Sequence, residues 1–187
     1  MISYEELRMK FAKKILIGAC LSLGALSTTA SAAFFNPTTG HWYDYVSGGP
    51  SGDWGVAEAN AVSLGGHLVT INDAAEQSWL LSNFGPTELL WIGFTDAAVE
   101  GSFVWTSGEA VTYTNWNGGE PNNFGGEDYT VMNWGGGGAW NDYCPGPTTS
   151  CGVARGIAEW ADGLVPEPGT MALLGIGLAG LGFKRRK

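Results

Sequence analysis

The chain has 187 residues, with eighteen acids against nine bases, thirty glycines and nine tryptophans. Eight of the nine bases lie before residue 15 or after residue 183, so residues 33–163 hold fifteen acids and one base, Arg155. Such an acid excess repels phosphate backbones, which excludes nucleic acid as a partner; it favours divalent cations, and it also keeps an exported protein in solution.

The chain opens on Arg8, Lys10, Lys13 and Lys14, continues with an apolar run at 15–26, and reaches Ala30-Ser31-Ala32. This is the order of a secretory signal peptide, residues 1–32, cut after Ala32. About twelve apolar residues fall short of the ~20 that span a bilayer. A lipoprotein signal ending at Cys20 is the alternative, with only five apolar residues before that cysteine. The body, residues 33–163, has the size of one domain.

Within it, His41-Trp42-Tyr43-Asp44-Tyr45-Val46 alternates aromatics and predicts a strand. Asp53 stands as N-cap before Trp54, Ala57, Ala61 and Leu64, spaced for one helix face, and Gly65-Gly66 ends that helix. A short strand is expected at 67–71. Asn72 or Asp73 then caps a second helix with Ala75, Trp79, Leu80 and Phe84 inward. After Pro86 the pattern turns to strands, at 89–94, 102–105, 128–132 and 156–160, broken by a polar, glycine-rich stretch at 113–123. Helices first and antiparallel strands afterwards define an α+β domain. So long a loop in a compact domain is functional more often than idle. Trp91, Trp105 and Trp160 read as core, whereas Trp116 and Phe124 lie in the loop where a ligand would touch them.

Beyond the domain, Val165-Pro166-Glu167-Pro168-Gly169 leads into an apolar stretch at 171–183 and then Lys184-Arg185-Arg186-Lys187. The basic cluster resists translocation, and about 13 apolar residues make a weak transmembrane helix. The expected behaviour is transient membrane attachment.

Three segments carry oxygen-bearing side chains: Glu120-Pro121-Asn122, Glu127-Asp128 and Trp140-Asn141-Asp142. Taken singly they are ordinary turn formers. Together they offer hard oxygen ligands of the kind Ca²⁺ takes, six to eight at about 2.3–2.6 Å, and without His or Cys they disfavour zinc and copper.

With those segments in order, residues 40–160 resemble the C-type lectin-like domains. The likeness runs from Trp54-x-x-Ala57 through Leu64-Gly65-Gly66-His67-Leu68 and Trp91-Ile92-Gly93-Phe94 to the three segments above. The resemblance implies a C-type lectin-like fold with a calcium site built by Glu120, Asn122, Glu127, Asn141 and Asp142, and a cis bond before Pro121. It implies that the same five residues bind sugar, because neighbouring hydroxyls coordinate the ion while the carboxylates accept their protons and the amides donate. The order Glu-Pro-Asn goes, in the family, with sugars of the mannose, glucose and N-acetylglucosamine type. His67 is structural by the same resemblance.

The chain departs from the family at its cysteines. The outer bridge positions correspond to Ala61 and Ala158, and Tyr129 stands where the partner of Cys144 is usual. Cys144 and Cys151 are then expected to pair across a six-residue loop, the alternative being two free thiols. Residues 164–187 resemble the PEP-CTERM sorting signal of Gram-negative bacteria, which implies an exosortase-type processing enzyme and export to the cell envelope, outer surface or extracellular matrix.

The expected function is calcium-dependent binding of glycans or exopolysaccharide, without catalysis. The rival is a non-sugar adhesion or protein-interaction module on the same fold. A glycoside hydrolase needs two carboxyls about 5–9.5 Å apart, and Glu120 and Glu127, as calcium ligands, are not free to act as acid and base.

Overall fold

A computed structural model describes residues 33–161 apart from Pro145; the expected signal peptide and the tail stretch at 171–183 lie outside these residues. The described elements are β1 (Phe34–Asn36), β2 (His41–Ser47), α1 (Trp54–Ser63), β3 (His67–Leu68), α2 (Ala74–Phe84), β4 (Leu90–Thr95), β5 (Val104–Trp105), β6 (Tyr129–Met132), β7 (Trp140–Cys144) and β8 (Arg155–Trp160). One sheet runs β1-β2-β8-β4-β6-β7, with β3 pairing β8 and β5 pairing β4 off that path. Every pair is antiparallel except β4 with β8, which closes the two halves of the domain in parallel. The α+β class and the two helices stand as expected.

Helix α1 buries Trp54, Ala57 and Ala61, and the two alanines are fully covered. Its start differs from expectation. Asp53 occupies the N-cap position, but its side chain makes no cap bond and its Oδ1 is buried without a partner. The helix end is sharper than a flexible stop. A Cβ added at Gly66 would lie 1.8 Å from the Glu159 carbonyl oxygen, so only glycine lets this turn lie against β8.

Helix α2 is capped by Asp73, whose Oδ1 accepts from the amides of Ala75 and Glu76, each at 2.8 Å. Leu80 and Phe84 are buried and Trp79 packs on the core as expected, but Ala75 is exposed while Glu76 and Gln77 are buried. Both polar side chains find partners inside. The Tyr43 hydroxyl donates to Glu76 Oε1 at 2.7 Å and the Asn72 amide to Oε2 at 2.9 Å. Trp140 Nε1 donates to Gln77 Oε1 at 2.8 Å. Burial holds the Glu76 carboxyl above the usual range.

Tryptophan supplies much of the core, as the composition implied. Trp105 and Trp140 lie in one buried cluster with Ile92, Phe94 and Leu80; Trp54, Trp91 and Trp160 lie in the other with Leu68 and Val131. Trp91 Nε1 donates to the Gly52 carbonyl and Trp54 Nε1 to that of Ile92, so the large rings also tie α1 and its lead-in to β4. Ala61 and Ala158, at the family's outer bridge positions, are both fully buried in this second cluster.

Three strand expectations change. The strand at 67–71 ends at Leu68, although Val69 still donates to the Ile157 carbonyl and Thr70 to the Glu159 carboxylate. The strand at 102–105 shortens to Val104–Trp105. Trp140-Asn141-Asp142, read as a turn, is the start of β7, because pairing with β6 overrides the turn preference of Asn and Asp.

Gly66→Ala is expected to destabilise the domain by about 3 kcal/mol, since backbone rather than a side chain must yield. Gly101→Ala, at φ +74 with nothing within 4 Å, is expected to cost only the left-handed penalty of about 1–2 kcal/mol. Urea unfolding of the two variants beside the parent checks the order.

Candidate functional site

The five predicted donors come from two kinds of structure. Asn141 and Asp142 sit on β7, in register with Val131 and Thr130 of β6, and are 3% and 1% exposed. Glu120, Asn122 and Glu127 come from the long loop between β5 and β6. Two hydrogen bonds lace the loop along β7: Asn117 donates to the Trp140 carbonyl and Trp140 to that of Asn115, each at 2.8 Å. Further on, Asp128 donates to the Cys144 carbonyl at 2.8 Å.

Asp142 then gathers the loop. Its Oδ1 accepts from the Asn122 amide at 3.1 Å and its Oδ2 from the Asn123 amide at 2.7 Å. The Phe124 amide reaches Asn122 Oδ1 at 2.8 Å and Glu127 Oε2 at 3.1 Å. The Glu120–Pro121 bond is cis. Asn122 and Glu127 are thereby linked to Asp142 through the loop amides, Glu120 lies within reach of the Asp142 charge, and Asn141 is its neighbour on β7.

The electrostatics are those of crowded oxygen. Burial, then the Asp142 and Glu120 charges, push the Glu127 carboxyl up to about 7, with the Phe124 amide opposing. Burial and Asp142 likewise raise Glu120. Glu120 Oε2 and Asn141 Oδ1 are buried with no hydrogen-bond partner. Unpartnered buried acceptors among raised carboxylates are what an oxygen-liking cation satisfies, so these residues fit Ca²⁺ in kind. Among the described residues, no three Asp, Glu, His or Cys side chains are already drawn in to the spacing of a metal site.

A neighbouring group was not read from the sequence. Asp96 is 2% exposed; its Oδ2 accepts from the Gly101 amide at 2.8 Å, and its Oδ1 is buried without a partner. Burial and the charges of Asp96 and Asp128 raise Glu100, with an Asn123 hydrogen bond opposing; burial and Asp96 raise Asp128. The signal was present as Asp96 and Glu100 four apart after the Trp91-Ile92-Gly93-Phe94 strand, but such a stretch reads as a turn.

The two loop aromatics part company. Trp116, partly buried, packs against the core on Phe103 at 4.9 Å and Phe94 at 5.7 Å between ring centroids, whereas Phe124 is 82% exposed. Cys144 and Cys151 are bonded, with Cα atoms 6.2 Å apart, and Tyr129 is the cross-strand partner of Cys144.

The family profile described as the lectin C-type domain matches residues 51–153, and that of the PEP-CTERM protein-sorting motif matches residues 164–187. The chain is 43% identical over 99 residues to the mouse (Mus musculus) low affinity immunoglobulin epsilon Fc receptor, across 52% of this chain and 29% of the receptor. It is 37% identical over 119 residues to the alpha-N-acetylgalactosamine-specific lectin of Patiria pectinifera, across 58% of this chain and 68% of that one. Among solved structures, the cow carbohydrate-recognition domain of CD23, in the presence of GlcNAc2Man3 oligosaccharide, superposes with a TM-score of 0.55 at 28% identity, covering 70% of this chain and 93% of that one.

The chain belongs to the C-type lectin domain family, which is non-enzymatic, and its terminal motif is a bacterial sorting signal for export to the cell envelope or surface. It spans under a third of the mouse receptor's length and about two thirds of the Patiria lectin's.

The Glu127 shift has a sign that can be tested in chelator. A carboxyl near 7 when folded and near 4.5 when unfolded binds more protons in the native state, so stability is greatest below about pH 4.5 and falls as pH rises toward 7. Glu127→Gln should flatten that decline. Thermal melts in EDTA at steps between pH 4.5 and 7.5 check it.

Proposed function

We propose that the domain binds glycans of the mannose, glucose or N-acetylglucosamine type through a calcium ion held by Glu120, Asn122, Glu127, Asn141 and Asp142. The observation that carries this reading is the pair of unpartnered buried oxygens, Glu120 Oε2 and Asn141 Oδ1, within a gathering of carboxylates. Bound Ca²⁺ supplies a Lewis-acidic centre that two vicinal hydroxyls coordinate. Glu120 and Glu127 accept hydroxyl protons, and the Asn122 and Asn141 amides donate to hydroxyl oxygens.

The Glu-Pro-Asn order supports the mannose-type preference, and the oligosaccharide named with the cow domain is of that composition. The Patiria relative, named for N-acetylgalactosamine, pulls the other way. Calcium should raise the melting temperature, by about 2.7 kcal/mol of stability at a hundredfold excess over its Kd. Mannose should compete well and galactose poorly, each mismatched hydroxyl costing about 1–3 kcal/mol. Glu120→Gln with Asn122→Asp should move the preference toward galactose. Sugar binding that survives EDTA, or equal inhibition by both sugars in a competition assay, rejects the reading.

A second reading, a protein-interaction module, is favoured by one observation: the mouse relative is named as a receptor for immunoglobulin. Binding to a protein partner stripped of its glycans separates the two.

The tail is proposed as an address removed by an exosortase-type enzyme in a Gram-negative envelope. Among the described residues no helix is long and apolar enough to cross a membrane, and the tail stretch lies outside them. Mass spectrometry of the surface fraction should find a mature chain beginning after Ala32 and ending near Pro168. Recovery only as a full-length form in the inner membrane would make the tail a permanent anchor.

A further inference from the structure

Strand β1 is one edge of the sheet and β7, with Asn141 and Asp142, is the other. Phe35, Trp42 and Trp160 are successive cross-strand partners on β1, β2 and β8. Their exposure grades outward: Trp160 is 2% exposed, Trp42 half-buried, and Phe35 46% exposed with its ring 5.0 Å from that of Trp42. An aromatic ladder thus leaves the core and ends in solvent at an edge strand, where unpaired backbone groups already invite a partner.

The chain outside the described residues says which partner. Trp160 closes β8, the sorting motif begins at residue 164, and its apolar stretch begins at Met171. The intervening residues 161–170 reach at most about 36 Å fully extended. The tail therefore keeps the domain near whatever surface the apolar stretch enters, and the exposed aromatic edge is the face of it suited to that surface. Aromatic rings favour the interfacial zone of a bilayer, with their apolar bodies at headgroup level. Charge sets the lipid, because the one base of the domain, Arg155, is paired with Glu88 and the acid excess repels anionic headgroups.

We propose that the Phe35–Trp42 edge docks on the zwitterionic lipid surface into which the tail inserts, and so presents the β7 edge outward. The proposal rests on reading the tail as membrane-inserting. Five strand spacings separate the two edges, about 24 Å along the hydrogen-bonding direction, which lifts the donor set clear of the headgroups. Docking also covers the β1 edge.

The test uses the exported chain with its tail retained, expressed without the sorting enzyme, in a Cys20→Ser background. Phe35→Cys and, separately, Phe124→Cys carry an environment-sensitive fluorophore, and each chain is floated with phosphatidylcholine vesicles. In the floated fraction the fluorophore at 35 should blue-shift and be quenched by nitroxide-bearing lipid, and that at 124 should do neither. In the unlabelled parent chain, vesicles should slow amide exchange of β1 by about tenfold or more, which guards against misfolding of the labelled variant. Flotation with an unshifted fluorophore at 35 and unprotected β1 amides overturns the docking alone. The same shift in vesicle-free solution, growing with protein concentration, overturns it in favour of a second copy on that edge. A chain that does not float sinks the tail reading and the docking together.

Discussion

One buried carboxylate organises the functional end of this domain. Asp142, 1% exposed on β7, accepts the backbone amides of Asn122 and Asn123 on its two oxygens. Those bonds turn a loop without regular structure into a shaped edge of the sheet. Each oxygen keeps a further lone pair, so the same group can hold the loop and still face a cation. The cost is visible in its neighbours. Glu127 and Glu120 are forced against Asp142 in a partly dry place, and both carboxyls are raised in consequence. Charge of the opposite sign relieves that crowding, and no Lys or Arg of residues 33–163 other than Arg155 exists to supply it.

The rest of the fold exists to keep β7 rigid. Trp140, which begins the strand, packs against Phe94, Trp105, Tyr113 and Trp116, and its indole nitrogen is held by Gln77 of α2. That contact explains why an inward face of α2 carries a glutamine. A buried polar group with a good partner specifies one packing arrangement among many that apolar groups would permit. The second core cluster manages without the outer bridge of the family. Fully buried Ala61 and Ala158 lie together in that cluster, where small side chains allow α1 to approach β8 closely. Cys144, facing Tyr129 rather than its customary partner, bonds forward to Cys151 instead.

The sheet order also separates two ends of the molecule that are not obviously distant in sequence. Residues just after the expected cleavage site and just before the sorting motif meet at β1, β2 and β8, whereas the candidate donors lie on β7 and on the loop laced to it. The strand order alone keeps these two groups of residues apart. It follows from threading β8 between β2 and β4, with β4 and β8 running parallel.

The sequence by itself determined the class of the domain, both helices and most strands, and through its family resemblance it named five candidate donors. These are local signals: apolar spacing at helical period, glycine stops, and short motifs whose order survives without structure. A cap at Asn72 or Asp73, which the structure assigns to Asp73, and Trp91, Trp105 and Trp160 as core were legible for the same reason. Tertiary structure decided the remainder, because long-range pairing outweighs local preference. It made Asn141 and Asp142 strand residues, put Glu76 and Gln77 inside in place of Ala75, and packed the partly buried Trp116 against the core. It brought Asp96 beside Asp128 from thirty-two positions away. It also decided that Asp142 would hold the loop, since the carboxylate meets an amide twenty positions earlier only when the chain between them has folded back upon the sheet.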